Sequence, residues 1–167
     1  MSKLISSLKI QRLLKEARHL CQYKKLGDAK LIYQDLLQAI PNHPEVLGNL
    51  GTIELQLGNT ELGLGYLKNS IKIDFNNPSY LTNLAIGLSE IGKFEEALVY
   101  LDTALKFNPL ASNIFYNKAL IYKASSKYIE AIKNYQQAKT EAQQKLITGL
   151  PNWDNEFDII YDKKLRI

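Results

Sequence analysis

Three asparagines stand at one place in a repeating pattern: Asn49, Asn83 and Asn117 follow each other at intervals of 34 residues. A side-chain amide has an acceptor oxygen and two N–H donors, so it can pair with both the N–H and the C=O of a peptide group. A row of such amides could hold an extended polypeptide by its backbone, largely regardless of its sequence. The alternative is that each amide meets only solvent or a neighbouring carbonyl.

The same spacing places other polar side chains beside this row. They are basic, hydroxyl-bearing and aromatic residues, namely Lys15, Arg18, Thr52, Thr82, Tyr116 and Lys123. The basic residues near the N-terminus could attract an acidic partner, but exposed lysines usually contribute little binding energy. The formal net charge of +4 is too small to indicate nucleic-acid binding by itself. We therefore expect a protein or peptide partner and no nucleic acid.

Residues that could carry catalysis or bind a metal do not converge in the sequence. His19 and His43 are far apart and have no cysteine neighbours, which is not the spacing of a metal site. The single cysteine, Cys21, has no obvious base to activate it and cannot form an internal disulfide. Gly63 and Gly65 lack the preceding strand of a phosphate-binding loop, so a packing role is favoured. We expect no enzymatic activity, no cofactor and no metal.

The elements that position these residues follow from a period of 34 residues. At that offset four columns of matched size align: Leu13, Leu47, Leu81 and Phe115; Ala17, Gly51, Ala85 and Ala119; Ala29, Gly63, Ala97 and Ala131; Tyr33, Leu67, Leu101 and Tyr135. Apolar spacing within each unit predicts two helices of about 13 to 15 residues, separated by Gly, Ser, Asn and Pro turns. Helices of this length are marginal alone and become stable when stacked. The small residues mark places where two helices cross closely.

The unit at 78–111 resembles the tetratricopeptide repeat almost throughout. The residues that carry the resemblance are Leu81, Leu84, Ala85, Leu88, Gly92, Phe94, Ala97, Leu101, Ala104 and Pro109. The first unit has Lys24 in place of the mid-repeat glycine, and we expect Gly27 to substitute for it. The fourth has Gln143 in place of the closing proline, which predicts a last helix that continues to about residue 146. The resemblance implies an all-α, right-handed superhelical solenoid of four hairpins, whose first helices line a concave groove.

The repeat divides the chain into three parts. An N-terminal extension covers 1–9, the repeat domain covers 10–145 with units near 10–43, 44–77, 78–111 and 112–145, and a C-terminal segment covers 146–167. In that last segment, Pro151 and Trp153 begin a stretch of helical apolar spacing, which predicts a capping helix over the last unit or a linker. No apolar stretch is long enough to span a bilayer, so we expect a cytoplasmic protein without membrane insertion. The open edges of a short solenoid also allow a homodimer.

For function, the resemblance implies an interaction scaffold that binds an extended peptide in its groove. The asparagine column resembles the ladder in the repeat domain of O-linked N-acetylglucosamine transferases. The runs at 33–45 and 152–157 resemble segments of bacterial proteins of that group, so an alternative is the recognition arm of such a transferase without its catalytic domain. A further alternative is a secretion-type chaperone built on the same hairpins, a class that tends to be acidic. A clamp for a C-terminal carboxylate is disfavoured, because Leu14 and Arg18 stand where that clamp has Lys and Asn.

Overall fold

Four helical hairpins stacked in chain order make up the fold of this computed structural model, which describes residues 7–147 and, for side chains, 7–144. Within that range the helices are α1 Ser7–Gln22, α2 Leu26–Ala39, α3 Pro44–Gln56, α4 Thr60–Ile73, α5 Pro78–Glu90, α6 Phe94–Phe107, α7 Ser112–Ala124 and α8 Tyr128–Ile147. Each helix contacts the next, and α5 also contacts α3 and α7. The predicted all-α array of hairpins is confirmed, and no strand occurs among these residues.

Proline and asparagine set where the helices begin. Pro44 and Pro78 are the first residues of α3 and α5, where a missing N–H costs nothing. The side chain of Asn77 caps α5, since its oxygen accepts hydrogen bonds from the backbone N–H groups of Ser79 at 3.1 Å and Tyr80 at 3.3 Å. The last helix, α8, continues as far as Ile147, the last residue that the structure describes, which confirms the extension predicted from the missing proline.

Each hairpin turns through one residue in the left-handed backbone region. The φ angles are 57° at Lys24, 82° at Gly58, 76° at Gly92 and 61° at Ser126. Glycine adopts this conformation freely, whereas a residue with a Cβ pays about 1–2 kcal/mol. Gly27 lies in the first turn of α2 and has no positive φ, so the prediction that it substitutes for the missing glycine was wrong. The turn stays at the same position of the repeat, and Lys24 adopts the unfavourable positive φ there.

The small-residue columns lie where the two helices of a hairpin cross, and their residues are buried. In the second hairpin both columns carry glycine, and a Cβ built on Gly63 would lie 2.8 Å from the carbonyl oxygen of Gly51. The backbones of α3 and α4 therefore approach too closely for a methyl group, which confirms the packing role predicted for Gly63. Gly65 differs, because no atom lies within 4 Å of the Cβ it would carry.

A buried ion pair joins the first hairpin to the second. Glu54 of α3 is 1% exposed, and its carboxylate contacts the Lys30 ammonium of α2 at 2.9 Å. The Asn59 side chain donates a second hydrogen bond to this carboxylate at 2.8 Å. A buried charge is tolerated only when its hydrogen-bonding capacity is met, so these partners fix the relative position of α2, α3 and the turn that follows.

The described end of the array exposes apolar surface at α8. Ile132 is 45% exposed, whereas Leu64 and Leu98, which hold the same place in the second and third units, are 7% and 9% exposed because the next hairpin covers them. The capping helix or linker was predicted for 146–167; residues 146 and 147 belong to α8, and 148–167 lie outside the described residues. Within 7–147, no helix has both the length and the apolar composition to span a membrane.

Candidate functional site

The candidate site is the exposed side of α1, α3, α5 and α7, called the inner surface below. Asn49, Asn83 and Asn117 are each the sixth residue of their helices, and each is half-buried. Because α5 contacts both α3 and α7, the three amides lie in one row on neighbouring helices. Lys15 holds the same repeat position on α1 and is exposed, so a cation continues the row at the N-terminal end.

Each of the three amides donates one hydrogen bond inside the protein. The Nδ2 atom of Asn49 donates to the Tyr33 hydroxyl at 3.0 Å, that of Asn83 to the Thr52 hydroxyl at 2.9 Å, and that of Asn117 to a main-chain carbonyl of its own helix at 2.9 Å. These bonds orient the amides. Among the described residues, the acceptor oxygen and the second N–H of each amide have no partner, and these are the groups that a peptide backbone needs.

The two threonines predicted on this surface have different surroundings. Thr52 is half-buried, donates to the Gly48 carbonyl at 2.9 Å and accepts the hydrogen bond from Asn83, so it positions that amide. Thr82 is only 5% exposed and donates to the Pro78 carbonyl at 2.7 Å. The prediction that Thr82 faces a ligand was therefore wrong. Its equivalent in the first unit, Leu14, is also buried, because this position turns toward the core.

The remaining predicted residues lie toward the two ends of the inner surface. Tyr116 is half-buried on α7, and its ring packs against that of Tyr135 with centroids 5.7 Å apart. Lys123 is exposed near the end of α7. At the opposite end, Arg18 is exposed on α1, and its Nη1 donates to Glu45 Oε1 at 2.7 Å. The row of amides thus runs between cationic side chains at both ends.

A concave pocket of about 550 Å³ opens on the inner surface where α1, α3 and α5 meet. Two of its lining residues, Arg18 and Asn49, were predicted from the sequence as binding residues. Four others were not: His43, Glu45, Asp74 and Tyr80. One signal could have found it. Gly48 stands where the other units have larger residues, and a Cβ there would lie 2.5 Å from the Tyr80 ring, so the glycine makes room for that ring.

Burial controls the ionisation of the groups near this pocket. It raises the pKa of Tyr80 to about 12, and the charges of Glu45 and Asp74 add to the effect. Burial likewise raises the pKa of Tyr33 far above its ordinary value. Both hydroxyls are therefore neutral near pH 7 and can donate as well as accept. Burial also raises the pKa of the Cys21 thiol, which makes it a poor nucleophile.

The chemistry available on the inner surface is hydrogen bonding and charge pairing. Within the described part of the chain, no three His, Cys, Asp or Glu side chains come together in a way that could hold a metal ion. The amide row, the pocket and the flanking cations instead place polar side chains on the inner surface of successive helices. Such a surface suits a ligand that is extended and rich in peptide groups.

The sequence model of the tetratricopeptide repeat family matches residues 112–145, which form the fourth hairpin. No curated protein matches the chain in sequence.

Solved structures share most of the array. The crystal structure of the MamA protein superposes with a TM-score of 0.71 at 15% identity, covering 85% of this chain and 78% of that one. YrrB, described as a TPR protein with an unusual peptide-binding site, superposes with a TM-score of 0.67 at 20% identity, covering 75% of this chain and 64% of that one. A MamA double mutant from RS-1 superposes with a TM-score of 0.69 at 17% identity, covering 82% of this chain and 76% of that one. The chain therefore has the fold of a tetratricopeptide-repeat solenoid.

Proposed function

We propose that the protein is an interaction scaffold that binds an extended segment of a partner protein on its inner surface, through Asn49, Asn83 and Asn117. The observation that carries the proposal is the state of these amides: each is held by one internal hydrogen bond, while its oxygen and one N–H stay unused. An amide fixed in this way loses little conformational entropy when a ligand binds, which favours binding.

The dimensions of the array fit such a ligand. Packed helices lie about 8–10 Å apart, and an extended chain advances about 3.3 Å per residue, so neighbouring amides would contact the ligand about every third residue. The row on α3, α5 and α7 would then span about seven ligand residues. Each hydrogen bond makes a net contribution of about 1 kcal/mol to the binding free energy, and association has a large entropic cost. We therefore expect affinity in the micromolar range, with Lys15, Tyr116 and Lys123 adding contacts at the ends.

The shared fold supports the proposal without identifying the ligand. YrrB is a repeat protein of the same fold whose peptide-binding site is named in its description. Cytoplasmic location and a homodimer stay predictions of the sequence.

The test begins with selection of linear 12-residue peptides from a random library against the full-length chain. Dissociation constants are then measured by fluorescence anisotropy for the wild type and for the variant with Asn49, Asn83 and Asn117 all changed to Ala. We expect the triple variant to lose at least about tenfold in affinity, the equivalent of 1.4 kcal/mol. Asn69→Ala, an exposed asparagine on α4, is the control and should bind as the wild type.

Stability must be followed alongside binding, because Asn49 also bonds the buried Tyr33 hydroxyl. Urea unfolding identifies any loss of folded protein in the triple variant, and the anisotropy titrations are run where all variants are folded. Undiminished affinity of the folded triple variant would refute the role of the amides.

A second candidate function is the recognition arm of a glycosyltransferase, favoured by the resemblance of the run at 33–45 to bacterial proteins of that group. The same inner surface would then bind the acceptor protein. A longer reading frame with a catalytic domain would support this candidate. A secretion-type chaperone would instead co-purify with an unfolded exported protein, and the net charge of +4 disfavours it.

A further inference from the structure

The pocket between α1, α3 and α5 contains polar atoms that have no partner among the described residues. The Tyr80 side chain is only 8% exposed and lines the pocket, yet its hydroxyl makes no hydrogen bond within 7–144. The Nδ1 atom of His43, another lining residue, is buried and also without a hydrogen-bond partner there. Buried polar atoms in native proteins are nearly always satisfied. One buried atom without a partner, beside the hydroxyl of a side chain that is only 8% exposed, points to a polar ligand.

Carboxylates set the sign of the charge in this pocket. Asp74 forms no ion pair with any described residue, and Glu45 uses only Oε1 for the Arg18 guanidinium at 2.7 Å, which leaves Oε2 free. One arginine against two carboxylates gives these three side chains a formal charge of −1. Burial first, then the charges of Glu45 and Asp74, raise the pKa of Tyr80, so both carboxylates act on the same hydroxyl. The pocket therefore favours a cation.

The unused groups are chiefly acceptors. They comprise Oδ2 of Asp74, whose Oδ1 accepts a hydrogen bond from the Asn76 N–H at 3.3 Å, the second oxygen of Glu45, the side-chain oxygen of Asn49 and the Tyr80 hydroxyl. A guanidinium group has five N–H donors in a rigid plane and no acceptor, so it can satisfy several of these atoms at once. An ammonium group has three donors at a single point and would reach fewer of them.

We propose that this pocket, called the arginine pocket below, binds an arginine side chain of the peptide held on the inner surface. The inference rests on the proposed peptide-binding function and specifies the ligand. Asn49 lines the pocket and is also the first asparagine of the row, so the ligand backbone and the arginine would be held by adjoining groups. The ion pair of Arg18 with Glu45 shows that this carboxylate already accepts a guanidinium.

The direct probe is N-acetyl-arginine N-methylamide, titrated into the ¹⁵N-labelled full-length chain and followed by amide chemical shifts. We expect saturable shifts at Tyr80, Ser79 and Asn49, and binding at least about tenfold weaker for the neutral citrulline analogue. Asp74→Asn should weaken arginine binding about fivefold or more, since it removes a charge from a part-exposed site. Asp35→Asn removes an exposed carboxylate from α2, outside the pocket, and should leave binding unchanged.

Arg18→Gln tests whether the pocket binds a cation or an anion. If the pocket binds arginine, this variant frees Glu45 and binds the probe as well as the wild type or more tightly. If the pocket binds an anion instead, Arg18→Gln weakens the binding of acetate or phosphate, and Asp74→Asn strengthens it. This anion-binding pattern would overturn the proposal. So would binding of the citrulline analogue as tight as that of the arginine probe, or an unchanged affinity of Asp74→Asn for the arginine probe.

The selected peptides separate this proposal from the one on which it rests. Replacement of their arginines by citrulline should lower affinity for the wild type about fivefold, and much less for Asp74→Asn. Peptides that depend on the asparagines but tolerate citrulline would refute the arginine pocket and leave the scaffold function standing. A saturable arginine site in a chain that binds no extended peptide would support the pocket and refute the scaffold function.

Discussion

Replacement by alanine should have opposite effects on stability at two glycines of α4 that are two residues apart. A Cβ on Gly63 would lie 2.8 Å from the carbonyl oxygen of Gly51 and 2.8 Å from Cγ of Leu55, whereas a Cβ on Gly65 would meet no atom within 4 Å. Both residues are inside the helix, so both gain from the better helix propensity of alanine, by about 1 kcal/mol. Only Gly63→Ala must also push α3 and α4 apart.

The magnitude follows from the distance that the helices must move. Ordinary contact of a Cβ begins near 3.4 Å, so the backbone of α3 has to shift by several tenths of an ångström. Overpacking of this kind costs about 1–3 kcal/mol, which exceeds the gain in propensity. We expect Gly63→Ala to lower the free energy of unfolding by about 1–2 kcal/mol and Gly65→Ala to raise it by up to about 1 kcal/mol.

The assay is urea unfolding followed by circular dichroism at 222 nm, with the wild type and both variants compared under identical conditions. Heat unfolding should order the three proteins in the same way, with about 2–4 °C per kcal/mol at this chain length. A Gly63→Ala variant as stable as the wild type would refute the close approach of α3 and α4, and so would equal changes of stability in the same direction in both variants.

Three further predictions concern stability. Lys24→Gly should raise the free energy of unfolding, measured in urea, by about 0.5–1 kcal/mol, because glycine adopts the left-handed φ of this turn freely. An unchanged urea midpoint would show that the backbone of Lys24 is not strained. Lys30→Met should lower it by about 2–3 kcal/mol by stranding the Glu54 charge, and Glu54→Gln in addition should restore most of the loss. Since the native pKa of Tyr80 is raised from 10.0 to about 12, the native state binds more protons above pH 10. Stability should fall between pH 10 and 12 by up to about 1.4 kcal/mol per pH unit, and less steeply in Tyr80→Phe.

The fold could be predicted because its determinants repeat. The columns through Ala17, Ala97 and Leu101 follow from size and period alone, and their residues are buried except Tyr135, which is half-buried. Even the lengthened α8 follows from one missing proline. By contrast, the left-handed φ of Lys24 could not be read from its residue type, because the turn geometry that the neighbouring helices impose overrides the local preference.

The candidate site was only partly predictable, for a related reason. The period places Asn49, Asn83 and Asn117 on neighbouring helices, but it does not give the exposure of each side chain, so Thr82 was wrongly assigned to the surface. The arginine pocket escaped prediction because its groups come from three helices and two interhelical segments; Arg18 and its partner are 27 residues apart. Contacts that depend on how closely hairpins stack leave little signal in a single sequence.

The most direct test of backbone recognition is an N-methyl scan of a selected peptide. Each peptide N–H in turn is replaced by N–CH₃, and the dissociation constant is measured with the wild type and with Asn83→Ala. If the amides hold the ligand backbone, methylation should weaken binding at positions about three residues apart, and one of these losses should largely disappear in Asn83→Ala. Affinity that is insensitive to methylation at every position, with Asn83→Ala binding as the wild type, would contradict the central claim.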